Sequence, residues 1–175
     1  TPSNKTSLID DWNYKIEAIV RETMQENVTS LAGVPSWMLV LLNKIIEKSD
    51  KSYISEIWPN LEVYFHGGVS FKPYLNQYNN IVKNDAMKYY EIYNASEGFF
   101  AIQYENNSHE LLLMLDYGIF YEFIDMKTFG TKNEKIIPLA EVQKNTNYAI
   151  LISTNAGLWR YKIGDTVKFT STSPY

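Results

Sequence analysis

The chain contains no cysteine. That absence excludes a disulfide framework, a thiolate zinc site, an iron–sulfur centre and a cysteine nucleophile. It agrees with a reducing, cytoplasmic setting. Only two histidines are present, which rules out a three-histidine metal site. Positive charge is also scarce: 16 Lys and Arg against 20 Asp and Glu leave a net charge of −4. Sequence-independent nucleic-acid binding needs a basic surface, so no nucleic-acid partner is expected. No run approaches the roughly 20 apolar residues that cross a bilayer. The longest compact run, Trp37 to Leu42, is followed by Asn43 and Lys44, so no membrane partner is expected either. The N-terminal Thr1-Pro2-Ser3-Asn4-Lys5 has no apolar core behind its charge, unlike a signal peptide. It also lacks an initiator Met, which suggests a chain cut from a longer protein.

What the chain has in quantity is aromatic side chains: 14 Tyr, 8 Phe and 4 Trp, 15% of its 175 residues. They suit a β-rich core with half-buried tyrosines, or a pocket for a planar ligand. With 45% hydrophobic and 21% charged residues a packed core is expected. The length suits one domain or a piece of a larger one.

The first third has a helical period. Trp12, Ile16, Ile19, Val20 and Met24 recur at spacings of three and four, behind Asp10 and Asp11 as caps. A second helix is expected from a Ser36 cap to about Lys48, buried all round in its first two turns. Leu61 to Phe65 reads as a strand, His66 to Val69 as a turn, and Ser70 as the cap of a helix with Phe71, Tyr74, Tyr78 and Ile81 inside. Tyr89 to Tyr93 reads as a second strand. Strand, Gly-rich turn, helix, strand is the pattern of a parallel βαβ unit. After Ser96 the helical period disappears. Phe99–Tyr104, Glu110–Leu115 and Ile119–Ile124 read as strands. Asn106-Asn107-Ser108 and Asp116-Tyr117-Gly118 read as hairpin turns between them. Asn145–Ser153 and Leu158–Lys162 pair around Asn155-Ala156-Gly157, and Val167–Thr170 is a last strand. The fold expected is therefore α/β with mixed parallel and antiparallel pairing, helices in the first half and β-hairpins in the second.

Three short motifs could carry chemistry. Tyr93-Asn94-Ala95-Ser96-Glu97-Gly98 lies where a parallel strand would end, the edge at which open α/β sheets bind ligands. There Ser96 offers a hydroxyl for a phosphate oxygen, Glu97 a carboxylate for Mg²⁺, and Gly98 room for close approach. The same residues also make an ordinary surface turn. Gly164-Asp165 would put a carboxylate at a strand tip, suited to two ribose hydroxyls or to a plain Gly-Asp turn. Gly67-Gly68-Val69-Ser70 could bring backbone close to an anion at a helix start. It lacks the ending of a phosphate-binding loop. His66 reads as a turn or packing histidine rather than a base. Glu122, between Tyr121 and Phe123, is either a paired strand carboxylate or a group at a pocket edge. No Gly-x-Ser-x-Gly elbow is present, which removes the usual serine hydrolase.

The order of the motifs is more specific than any one of them. With Leu31 to Trp37, Trp58-Pro59-Asn60-Leu61, Phe65 to Ser70, Tyr93 to Gly98, Tyr121-Glu122-Phe123 and Gly157 to Asp165, the chain resembles the adenylate-forming superfamily of acyl-CoA synthetases and firefly luciferase. Within it, the chain is similar to the auxin-responsive Gretchen Hagen three family of acyl-acid amido synthetases, its bacterial members more than its plant ones. The resemblance implies an enzyme that adenylates a carboxylic acid with ATP and passes the acyl group to an amino acid. It implies Tyr93 beside the adenine with Gly67, Gly68 and Val69 opposite, and Ser96 on the α-phosphate. It also implies Glu97 on Mg²⁺ and Asp165 on the ribose. Phe99, Phe120 and Phe123 would border the acyl pocket, with Trp37 a further wall. The family's Ser/Thr/Gly-rich phosphate loop and its C-terminal lid domain find no match within residues 1–175. The chain is thus expected to be one fragment, the middle to C-terminal part of the large adenylation domain, with little turnover alone. The alternative is a non-catalytic ligand-binding or interaction module derived from this fold. Oligomeric state is not set by any of these residues.

Overall fold

A computed structural model describes residues 1–105 and 108–175. Its elements are α1 (Asn4–Ser7), α2 (Trp12–Thr23), β1 (Ser30–Gly33), α3 (Pro35–Lys48), α4 (Ile54–Ile57), β2 (Val63–His66), α5 (Leu75–Val82), β3 (Lys88–Ala95), β4 (Gly98–Gln103), β5 (Leu111–Leu113), β6 (Ile119–Asp125), β7 (Ile136–Pro138), β8 (Asn147–Thr154) and β9 (Tyr161–Lys168). They form two compact units. The first is Thr1–Tyr93 with Glu105–His109, and the second is Asn94–Tyr104 with Glu110–Tyr175.

In the first unit α2 starts where its spacing predicts. The Asp11 carboxylate accepts the Tyr14 N–H at 2.7 Å, which satisfies one of the free amides of the first turn. Ile16, Ala18 and Val20 face inward. Helix α3 begins one residue before the expected cap, with Val34 as N-cap and Pro35 in the first turn, where a missing N–H costs little. Its burial is one-sided rather than all round. Leu39, Leu42 and Ile45 are buried, while Trp37 and Val40 stay 56% and 47% exposed. Residues three apart share one face of a helix, so this face is covered and the opposite one is not.

The βαβ expectation is met: β2 pairs parallel with β3, with α5 between them. Strand β1 lies parallel on the other side of β2, Gly33 opposite His66. This strand was unexpected. Its four residues carry a single buried side chain, Leu31, so no alternation marks them. Helix α5 begins at Leu75, five residues after the expected Ser70 cap, and has no side-chain cap. Many aromatics of this unit are core. Tyr64 and Tyr78 stack at 5.1 Å and Phe71 sits 5.1 Å from Tyr78. Their polar ends are satisfied: the Tyr78 hydroxyl donates to the Pro35 carbonyl at 2.8 Å and the Tyr64 hydroxyl to that of Gly33 at 2.9 Å.

In the second unit β4 and β5 pair antiparallel, and β7, β6, β8 and β9 form a four-stranded antiparallel sheet in that order. Ile124, Ala149 and Leu151 form a buried cluster on it. Two expectations change here. Residues 158–162 and 167–170 do not form separate strands: a single β9 carries its bulge internally. Asp116-Tyr117-Gly118 is not a hairpin turn, because β5 pairs with β4 while β6 pairs with β7 and β8. Gly118, at φ +74, instead turns the chain from one set of strands to the other. Asn106 and Asn107 of the other expected turn lie outside the described residues. Among the described residues no helix is long and apolar enough to cross a membrane. Helices first and antiparallel strands later, with both kinds of pairing, give the α/β class that was expected.

Candidate functional site

The glycine turn of the first unit follows the carboxyl end of β2. Gly68 has φ +81, a region L side chains rarely adopt, and a Cβ there would lie 3.4 Å from Val34 Cγ2. Gly67 is buried, and Val69 is 42% exposed. His66 lies beneath the turn, 3% exposed, its ring stacked on Phe71 at 4.0 Å. Four residues separate the two rings, so the stack closes the turn between them. Burial holds the imidazole neutral by lowering its pKa from 6.5 to about 4. The packing reading of His66 agrees with this. Tyr93, half-buried, lies near the end of β3 in the same unit. Trp37 stands on the open face of α3 with its ring edge-on to Trp12, 4.8 Å away.

In the second unit Ser96 and Glu97 form a two-residue turn between β3 and β4, Ser96 exposed and Glu97 half-buried. The space at Gly98 is not open to a ligand, which corrects the expectation. A Cβ there would lie 2.7 Å from Ile119 Cδ1, so the small residue makes room for that side chain. Asp165 is exposed, but not at a strand tip. Thr166 faces Ala149 and Lys162 faces Leu151, so three residues of β9 lie opposite one of β8. Gly164, at φ +100, lies inside that bulge. A bulge re-aims the side chain it carries, here the Asp165 carboxylate.

Phe120 is 60% exposed and borders a groove of ≈ 530 Å³ with Leu115, Ile119, Ser153 and Trp159. Phe99 is half-buried, its ring 5.8 Å from Tyr117. Phe123 is a correction. It is 0% exposed, held between Tyr148 at 5.9 Å and Phe169 at 5.2 Å, which leaves no face for a substrate. The expectations missed Arg160 and Trp159. Arg160 meets both oxygens of Glu122 at 2.9 Å, which makes Glu122 a paired strand carboxylate. The pair holds the Arg160 guanidinium above its ordinary pKa. The signal was a carboxylate in an apolar strand, which needs a cation if it is buried. Nothing local said which cation. Among the described residues no three His, Asp or Glu side chains gather as a metal site.

A model of the GH3 family N-terminal domain matches residues 1–87, and one of the GH3 family central domain matches residues 112–174. The two matches fall largely in the first and second compact units respectively. The chain is 27% identical over 131 residues to the indole-3-acetic acid-amido synthetase GH3.3 of Arabidopsis thaliana, and 26% identical over 166 residues to GH3.4 of the same plant. These stretches are 71% and 89% of this chain but 21% and 26% of the plant proteins. The chain thus spans about a quarter of the length of these relatives. Among solved structures it resembles the GH3.15 acyl acid amido synthetase, with a TM-score of 0.68 at 14% identity over 93% of this chain and 38% of that one. It also resembles the long-chain-fatty-acid–CoA ligase FadD1 of Archaeoglobus fulgidus, with a TM-score of 0.50 at 16% identity over 79% of this chain and 27% of that one. At these identities the likeness is one of fold. Two domain models of one family together span most of this chain, residues 1–87 and 112–174: the chain belongs to the GH3 family.

Proposed function

We propose that the protein carrying this chain joins a carboxylic acid to an amino acid at the expense of ATP. One observation carries the reading: in a GH3-family chain, the second unit brings a serine hydroxyl and a glutamate carboxylate onto one tight turn and presents an aspartate on a bulge. The names of its relatives, indole-3-acetic acid-amido synthetase and acyl acid amido synthetase, support the same reaction class. The chain would then be the middle to C-terminal part of a large adenylation domain.

In the first step a carboxylate oxygen of the acid attacks the α-phosphorus of ATP. The bond from phosphorus to the bridging oxygen breaks, and pyrophosphate leaves with the electron pair. In the second step the amine attacks the acyl carbon of the acyl-adenylate, AMP leaves, and the amine loses a proton. The roles are those that the family resemblance implies, and the chemistry of each side chain is consistent with them. Tyr93 presents a ring to the adenine, and Gly67, Gly68 and Val69 line its other face. The Ser96 hydroxyl donates to an α-phosphate oxygen. Asp165 accepts from the two ribose hydroxyls, which the carboxylate does best when its direction is fixed. Positioning and charge neutralisation dominate displacements of this kind. Trp37, Phe99 and Phe120 are the remaining candidates for contact with the acid.

Glu97 fits magnesium. Mg²⁺ is commonly held by one or two carboxylates together with substrate phosphates and waters, so a single half-exposed glutamate beside a phosphate-binding serine suffices. Bound there, the ion would neutralise the charge that develops on the phosphates. The chain's part is to hold that carboxylate at the turn.

Acid-dependent pyrophosphate exchange by the full-length protein, across a panel of aryl and alkyl acids, tests the reading. Glu97→Gln is expected to lower kcat on the order of a hundredfold. Asp165→Ala is expected to raise the KM for ATP and leave that for the acid unchanged. Absence of exchange with every acid of the panel would sink the proposal.

A further inference from the structure

The segment joining β8 to β9 is fastened at both ends. The Thr154 N–H donates to the Leu158 carbonyl at 2.9 Å, and the Arg160 N–H donates to the Ser153 hydroxyl oxygen at 3.0 Å. Beyond the backbone, Arg160 Nε and Nη2 each donate to one oxygen of Glu122 at 2.9 Å. This is the two-pronged geometry that gives an arginine–carboxylate pair direction as well as strength. The Glu122 side chain is 12% exposed and that of Arg160 63%, so the pair is anchored at its carboxylate end while the guanidinium reaches the surface. Arg160 itself has φ +45. A long side chain in the left-handed region is strained and persists where its surroundings over-determine it. The Glu122 contact and the Ser153 bond supply that constraint. Between the two fastened residues stands Trp159, 83% exposed, on the wall of the groove that Leu115 and Phe120 also line. None of the residues lining the groove is ionisable. The Arg160 charge is directed at Glu122, so the wall presents an indole and not a cation.

We infer that Glu122 and Arg160 act as a positioning pair, holding Trp159 upright so that the groove grips the apolar tail of the acid. The inference rests on the amide-synthetase reading of this chain. Without the pair the turn relaxes out of its strained conformation, and the indole loses its fixed place. Recognition of an apolar tail then weakens, while contacts to nucleotide stay as they are.

The experiment measures pyrophosphate exchange by the full-length protein with indole-3-acetate and with acetate, which has no tail to grip. Arg160→Met alone leaves a buried carboxylate without its partner and could destabilise the fold. The double variant Glu122→Met with Arg160→Met removes both charges and avoids that. It is expected to raise the KM for indole-3-acetate about tenfold, leaving the KM values for acetate and ATP unchanged. Trp159→Ala is expected to give the same rise, and to add nothing further on top of the double variant, since coupled residues are not additive. An unchanged KM for indole-3-acetate in the folded double variant would overturn the inference. So would a uniform loss with both acids and ATP, or a Trp159→Ala effect that adds in full. Wild-type protein that exchanges with no acid of the aryl and alkyl panel would remove the amide-synthetase reading, and the pair's role with it; exchange with other panel acids but not with indole-3-acetate would overturn the inference that the groove grips such a tail. Both outcomes appear before any substitution is made, and the panel tells them apart.

Discussion

His66 shows how much one buried side chain can say. Its ring is stacked on Phe71, Tyr64 of its own strand is 5.6 Å away, and its register partner on β3 is Glu91. Burial favours the neutral ring, and the pKa falls from 6.5 to about 4. In that interval the unfolded chain binds more protons than the folded one, so stability rises with pH. The contribution is complete above pH 6.5 and is lost as pH falls toward 4. It is on the order of 3 kcal/mol. Urea unfolding across that window is expected to show a lower midpoint at acid pH, and His66→Phe, which keeps the ring stack, should flatten the dependence. Parallel curves for the two proteins would assign the effect to other groups. The sequence allowed a turn or a packing role for this histidine. Its burial was not readable there, because that depends on Phe71 folding back over it.

Strand β9 and the turns beside it show how an element places a functional group. Gly164 and Gly98 are both needed, for different reasons. A Cβ at Gly164 would meet nothing within 4 Å, but φ is +100. Gly164→Ala is therefore expected to cost about 1–3 kcal/mol through backbone conformation alone. A urea midpoint that shifts with an unchanged m-value would report it. A shift no larger than the error would mean that the bulge relaxes without cost. At Gly98 the limit is contact, with Ile119 Cδ1 2.7 Å from where a Cβ would lie. The sequence marked both glycines as special and predicted a tip at one and a ligand gap at the other. The bulge and the Ile119 contact are products of strand pairing, which local spacing does not encode. Strand β1 escaped notice for the same reason, as Ser30-Leu31-Ala32-Gly33 has no period of its own and becomes a strand by pairing with β2.

For the whole chain the division into two units makes a prediction about its cores. Leu42 is 0% exposed in the first unit and Ile150 is 1% exposed in the second. Leu42→Ala and Ile150→Ala are each expected to cost about 2–5 kcal/mol by removing packing and leaving a cavity. Amide hydrogen exchange should show the largest loss of protection in the unit that carries the substitution; equal losses throughout would show the two cores to be one cooperative body. Much of the organisation could be read beforehand. Helical spacing from Trp12 to Met24 located α2, and the strand–glycine–helix–strand order announced a parallel pair. The succession of Gly-Gly, Ser-Glu-Gly and Gly-Asp motifs identified the family, because order and residue type are properties of the chain itself. Other features had to wait for the folded molecule: the core position of Phe123, the exposure of Trp37, and the meeting of Glu122 with Arg160, 38 residues apart. Each depends on which surfaces other elements cover and which distant charges they bring together. Covering a surface and pairing a buried charge are tertiary events, and their energies arise only when separate parts of the chain come into contact.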